Sequence, residues 1–306
     1  MNKLSANISL YIITFFAAVQ YAFLANVPDT VSNFAFLTVT NLIGFLITFA
    51  VFFRELNRLD KKQVFQSFVL SLELFAFNVF LLLGSRGMSA TVVACVLSSY
   101  FAFIVILSFL IFHKSPDKNK VIAVFIVLFG VFLMMDANLM ELMDLHILYL
   151  IAADFFFAMY LLTAEQYATT SNPSLLAMGQ TMFNCLIALA CWIGESVLNK
   201  QPMTLPADPA FWGSVFFISF FIRGLYGIMQ IYAQRYVSPL NVSLIFSTEI
   251  IMTMAVSPLL VMLFNVEPER ITPLRVVGAL VMVFGILTAD SSVSDAIRRR
   301  LNHGKP

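Results

Sequence analysis

Charge is what this chain has least of. Asp, Glu, Lys and Arg make up 11% of its 306 residues and nearly cancel, leaving a formal net charge of +1. So weak a field excludes an electrostatic nucleic-acid binder. Cysteine is also scarce: Cys95, Cys185 and Cys191 lie inside apolar runs, with no CxxC and no histidine at metal-ligand spacing, so they read as packing residues. The three histidines, His113, His146 and His303, fall in loops or at span ends. HExxH, GxSxG, Walker A and EF-hand patterns are missing, so no metal, cofactor or coupled ATP hydrolysis is expected. No Gly/Ser linker or polar insertion interrupts the chain, which leaves no room for a soluble catalytic domain. The chain is not expected to be an enzyme.

What fills the sequence instead is apolar. Hydrophobic residues make up 60% of it, with 33 Phe and 15 Met, and the mean hydropathy is +0.89. That is the profile of a polytopic membrane protein. Since about 20 apolar residues cross roughly 30 Å of hydrocarbon, ten spans are expected, at 8–27, 34–53, 64–83, 88–112, 118–135, 145–167, 174–197, 211–234, 239–264 and 273–290. The first lacks a small-residue cleavage site and is expected to remain as a spanning helix. With the N-terminus inside, inner segments hold thirteen Lys and Arg, including Arg54, Lys61, Lys114 and Arg298, against four outside: Arg86, Lys200, Arg270 and Arg275. Positive residues stay inside, so both termini are expected in the cytoplasm, and the location is read as a bacterial cytoplasmic (inner) membrane.

The spans repeat. The segment from Gly87 runs parallel to that from Tyr236, matching Ser89 with Ser238, Ser98 with Ser247 and Tyr100 with Glu249; the segment from Val121 matches that from Arg275, with Gly130 on Gly285. Two five-helix halves, 1–140 and 141–306, follow, the second ending in a short basic tail. Because five is odd, the copies enter the membrane from opposite sides, giving the inverted repeats typical of secondary transporters. Glycines at 130, 278 and 285 give spans five and ten small-residue faces suited to close helix approach, within the chain or between two subunits. A monomer and a homodimer are both open.

The ten spans, the run Gly84-Ser-Arg-Gly-Met-Ser-Ala, the Ser-Thr-Glu249 step and the VxGAxxxxxG pattern ending at Gly285 resemble the drug/metabolite transporter superfamily, in its EamA-like branch. The resemblance implies an all-α membrane fold and transport of amino acids, nucleotides, nucleotide sugars, cofactors or drugs. Where that family often carries proline, this chain has Ile250 after Glu249, and Tyr100 and Phe101 in span four. Neither span is therefore expected to break there.

Candidate site residues are the polar groups inside apolar runs, which are costly in a bilayer and are functional hypotheses by default. At 1.5 Å per residue, Glu73, Tyr100, Asp154, Arg223 and Glu249 all lie roughly 13 to 18 Å into their spans, near the midplane. Stripes at helical spacing add Asn241 and Thr253 beside Glu249, Tyr226 and Gln230 beside Arg223, Gln180 with Asn184, and Asn41. Three acids against one base leave negative charge uncompensated. A zwitterionic or cationic small molecule, with proton coupling or exchange, would answer it, Arg223 facing a carboxylate or phosphate and an acid facing an amine or carrying the proton. A structural reading stays open beside this one: Arg223 pairs with Glu249, Glu73 or Asp154 and holds the halves together. The expected function is alternating-access transport of an amino acid or similar amphiphile, with a nucleotide, nucleotide-sugar or cofactor carrier, and more remotely a lipid-modifying enzyme, as alternatives.

Overall fold

The structure is a computed structural model that describes residues 2–25, 27–28, 30–86, 88–113, 118–136, 143–200, 202–264 and 272–288. Among these residues every regular element is helical: α1 (Lys3–Ala25), α2 (Asn33–Phe52), α3 (Lys61–Ser85), α4 (Ala90–Leu97), α5 (Tyr100–Phe112), α6 (Lys118–Met134), α7 (Leu145–Thr170), α8 (Pro173–Asn199), α9 (Pro209–Phe217), α10 (Gly227–Gln234), α11 (Pro239–Phe246), α12 (Thr248–Phe264) and α13 (Pro273–Thr288). A 3₁₀ turn, Phe53–Arg58, follows α2, and a π-helical stretch, Ile218–Tyr226, joins α9 to α10. A helix satisfies its own backbone, which lipid demands of any lone spanning segment.

Polar side chains mark where helices begin. Ser32, Asp60, Ser89, Asp144, Asn172 and Asp208 each accept a hydrogen bond from a backbone N–H in the first turn of the helix they open, and Pro173 and Pro209 sit at the first position, where a missing N–H costs nothing. Asp144 lies outside α7. The backbone N–H of His146, at 2.7 Å, and then its ring hold the Asp144 carboxyl below the usual carboxylate range.

Eight helical runs are long and apolar enough to cross a membrane: Lys3–Leu24, Asn33–Arg58, Lys61–Ser85, Ala90–Ile111, Leu145–Thr170, Pro173–Asn199, Pro209–Gln234 and Pro239–Val256, with Pro273–Thr288 a shorter apolar helix. Large apolar side chains such as Phe65, Phe125 and Phe216 are exposed on the outside of the bundle, where lipid covers them. This is a multi-pass membrane protein. α6 and α13, of 17 and 16 residues, pack on each other more extensively than any other two elements.

Two expected spans are interrupted. The fourth breaks at Ser98 and Ser99, between α4 and α5, and the ninth breaks at Ser247, between α11 and α12. No proline is involved. Instead hydroxyls bond to backbone carbonyls near the break: Ser98 donates to the Ala94 carbonyl beside its own N–H, Ser247 to that of Leu244 and Thr248 to that of Ile245, contacts that compete with the helical ladder. The two breaks fall at matched positions of the repeat. The ninth span nevertheless runs through Pro258, which lies inside α12.

Packing repeats with the sequence. α3 on α7 is answered by α9–α10 on α1, α3 on α8 by the π stretch on α2, and α4–α5 on α7 by α11–α12 on α1. The remaining large contacts, α2 with α8 and α6 with α13, join helices that hold the same place in the two halves. Both pairs run antiparallel: Thr48 meets Thr181 while Thr38 meets Cys185, and Gly130 meets Met282 while Gly285 meets Ile126. Antiparallel packing of matching helices is what a two-fold axis lying across them would produce. The glycine faces of α6 and α13 are therefore used within the chain. A Cβ at Gly278 would lie 2.8 Å from the Gly130 carbonyl oxygen and 2.8 Å from the Met134 amide nitrogen, both backbone atoms. Gly278→Val is expected to destabilise the protein by about 1–3 kcal/mol, read as a lower thermal unfolding midpoint in detergent. Gly194→Ala, at a helical site with nothing within 4 Å, is expected to raise it.

Candidate functional site

A cavity opens in the centre of the bundle, walled by α1, α2, α3, the α4–α5 joint, α7, α8, the π stretch, α10 and α12, so helices of both halves enclose it. Its interior leaves about 50 Å³ open to the centres of water-sized molecules, several times the space one water needs. Aromatic rings build its apolar walls: Phe77 stacks on Phe157 at 4.7 Å, and Tyr100 meets Phe157 edge-on at 5.1 Å.

Arg223 forms one pole. It sits in the π stretch, whose wider turn abandons the 3.6-residue period and is a rare form found frequently at functional sites. Its backbone presses against α2 at Gly44, where any Cβ would collide with Arg223 Cβ and lie 3.2 Å from its carbonyl carbon. The guanidinium is 8% exposed and donates to Asn78 Oδ1 of α3 at 2.7 Å, while its Nε has no protein partner. No carboxylate among the described residues pairs with it. The ion pair held open above, to Glu249, Glu73 or Asp154, is replaced by a neutral amide.

Glu249 forms the other pole. It lies in the first turn of α12, directly after the break at Ser247, where the helix dipole favours negative charge. It is 8% exposed, its Oε1 has no protein hydrogen-bond partner, the Tyr21 hydroxyl is directed at it, and Tyr100 and Tyr226 face it. Between the poles Gln180 accepts from the Tyr160 hydroxyl at 3.2 Å, which turns its Nε2 free of protein partners; Gln230 Nε2, Asn78 Nδ2 and the Tyr100 hydroxyl are likewise without one.

The sequence profile of the EamA-like transporter family matches this chain twice, over residues 4–136 and 144–289. The chain belongs to that family. No curated protein matches the EamA-like transporter at a significant level. A solved crystal structure of a protein covers 98% of each chain with a TM-score of 0.65 at 15% identity, a likeness of fold alone.

In this EamA-like transporter Glu249, Arg223, Tyr100, Tyr226, Gln230, Gln180 and Asn41 line the cavity together. Five other candidates do not. Asn184 lies one turn further along α8, donating to the Gln180 carbonyl, and Thr253 donates to the Glu249 carbonyl within α12. Asn241 is half-buried in the first turn of α11. Glu73 is half-buried between α3 and α7, where Thr163 donates to it at 2.9 Å, and Asp154 lies behind the α4–α5 joint, bonded to Ser99. Residue counting gave all five charged or phenolic groups one depth, but the direction each faces separates them. Gln20, Tyr21, Asn78, Phe157 and Tyr160 also line the cavity and were not anticipated. Asn78 carried a usable signal, a lone amide in the run Leu74-Phe-Ala-Phe-Asn-Val-Phe.

Replacing Asn78 by Leu strips the guanidinium of its acceptor and is expected to cost about 1.5–3 kcal/mol, as for a lost hydrogen bond to a charged group. Adding Arg223→Met is expected to restore much of that loss, since removing both partners is far milder than removing one. Thermal unfolding of the two single variants and the double variant measures it.

Proposed function

We propose that the protein is a secondary transporter that moves a small zwitterionic or cationic metabolite of amino-acid size by alternating access. In this reading ten spans form two inverted halves, 1–140 and 141–306, in a bacterial cytoplasmic membrane with both termini inside. The observation that carries it is a guanidinium and a carboxyl group that line one cavity without contacting each other. Arg223 Nε and the side-chain amides of Asn78, Gln180 and Gln230 offer donors without protein partners, while Glu249 offers an acceptor ringed by tyrosines. Buried polar groups left unmatched cost free energy, and a ligand with an anionic end and an ammonium end satisfies both poles at once. Aromatic faces beside Glu249 add attraction for a cation.

Size separates this reading from its nearest alternative. A cavity with about 50 Å³ of water-accessible space is narrow beside the roughly 300–1,000 Å³ pockets that hold drug-sized ligands, so a nucleotide or nucleotide sugar fits this conformation poorly. Movement is supported by the breaks at Ser98–Ser99 and Ser247, both adjacent to cavity residues, and by the π stretch that carries Arg223.

A thermal-shift screen of the purified protein with amino acids, nucleosides, nucleotides, polyamines and cofactors, followed by proteoliposome uptake, tests the proposal. Zwitterionic amino acids are expected to stabilise the protein and be taken up. Arg223→Ala and Glu249→Gln are each expected to weaken binding by about 2–5 kcal/mol, the range for truncating one partner of a buried charged contact. Unchanged uptake in both variants, or stabilisation by nucleotides alone, overturns it.

A further inference from the structure

Asp154 is built unlike either pole of the cavity. It is 0% exposed and lies on α7 outside the cavity lining. Its Oδ2 accepts a hydrogen bond from the Ser99 hydroxyl, and its Oδ1 has no protein partner. No lysine, arginine or histidine among the described residues reaches it. The titratable groups that face it are Cys95 of α4 and Tyr100 of α5, neither a cation. Beyond Cys95, the Arg275 guanidinium of α13 is engaged by Asp136 at 3.1 Å. On α3 the ionisable neighbour of α7 is Glu73, bonded to Thr163, nine residues further along α7 than Asp154.

A carboxylate this deep, with one neutral donor and no counter-charge, is too costly to keep ionised. In this conformation the group is therefore a protonated acid, with Oδ1 left to carry the proton. Its single donor is the residue at which the fourth span breaks. The next residue along, Tyr100, faces Glu249 in the cavity. Buried acid, helix break and cavity wall thus follow one another through two adjacent residues.

We propose that Asp154 is the binding site of a coupling proton, physically separate from the substrate cavity, and that the Ser99–Tyr100 joint reports its protonation to the cavity. The inference rests on the transporter reading. Asp154 takes up a proton from one side of the membrane and releases it to the other, the carboxylate and the acid being the only two species involved. On release, the carboxylate needs stronger donors than one hydroxyl supplies; the α4–α5 joint opens to admit them and carries Tyr100 with it.

Two measurements test this. In the first, proteoliposomes loaded with an unlabelled mixture of standard L-amino acids take up the same mixture in labelled form, with and without an inward proton gradient. Wild-type uptake is expected to rise with the gradient. Asp154→Asn is expected to keep counterflow exchange and lose the response to the gradient, and Asp154→Glu to regain part of it. Exchange without any gradient response in the wild type, or an unaltered response in Asp154→Asn, overturns the inference while leaving the transporter reading intact; absence of exchange in the wild type counts against the transporter reading instead. The second measurement needs no substrate. Infrared difference spectra recorded on raising the pH in a Glu73→Gln, Glu249→Gln background are expected to show loss of a carboxylic-acid carbonyl band, a shift of that band when Ser99→Ala is added, and no such band when Asp154→Asn is added. A band that persists unchanged when Asp154→Asn is added to that background, or that does not respond to pH in the background itself, refutes the assignment. Should Asp154→Asn fail to fold, Ser99→Ala decides: an unshifted band overturns it.

Discussion

The organisation of the site depends on a guanidinium held inside a membrane protein by an amide rather than an acid. A carboxylate opposite Arg223 would neutralise it and leave nothing to offer a ligand. Asn78 instead takes one N–H, anchors the head group and leaves the positive charge standing. That arrangement has structural requirements of its own. The backbone around Arg223 adopts the π form, and it comes so near α2 that residue 44 has to be glycine. Position, charge and backbone shape are thus one device, contributed by α2, α3 and the π stretch.

The two halves supply different chemistry from equivalent positions. Tyr100 and Glu249 each follow a hydroxyl pair, Ser98-Ser99 in one half and Ser247-Thr248 in the other, and each faces the central cavity just beyond the break. A repeat that folds alike does not bind alike. Both halves provide phenols and amides, but the carboxyl group and the guanidinium at the two poles of the site both come from the second half.

How much of this could be read beforehand follows from what a sequence period encodes. Helical content, the repeat and the polar stripes are local or nearly local, and they were legible in hydropathy, in Ser98 against Ser247 and in the spacing of Arg223, Tyr226 and Gln230. The breaks were not, because serines in an apolar run look like packing residues, and only the fold shows their hydroxyls bonded to carbonyls of the preceding turn. The π stretch was hidden for a related reason: a count at 3.6 residues per turn presumes the period that it violates. Glu73 and Asp154 show a third limit. Counting residues gives the height of a group in a helix, whereas the neighbour it meets depends on how helices rotate against each other, as with Thr163 for one and Ser99 for the other. Asn78 is the converse case, a single amide whose importance emerges only from a partner 145 positions away.

The antiparallel seams of α2 with α8 and of α6 with α13 carry a thermodynamic consequence. A two-fold operation maps each seam onto itself, so if the halves exchange conformations to turn the cavity from one side of the membrane to the other, these contacts are present unchanged before and after. Were the halves identical in sequence, the two states would be degenerate. Under the proposed alternating access, the bias between them would be set by the positions where the halves differ, with Tyr100 against Glu249 foremost, making the resting orientation a property of the protein's own asymmetry.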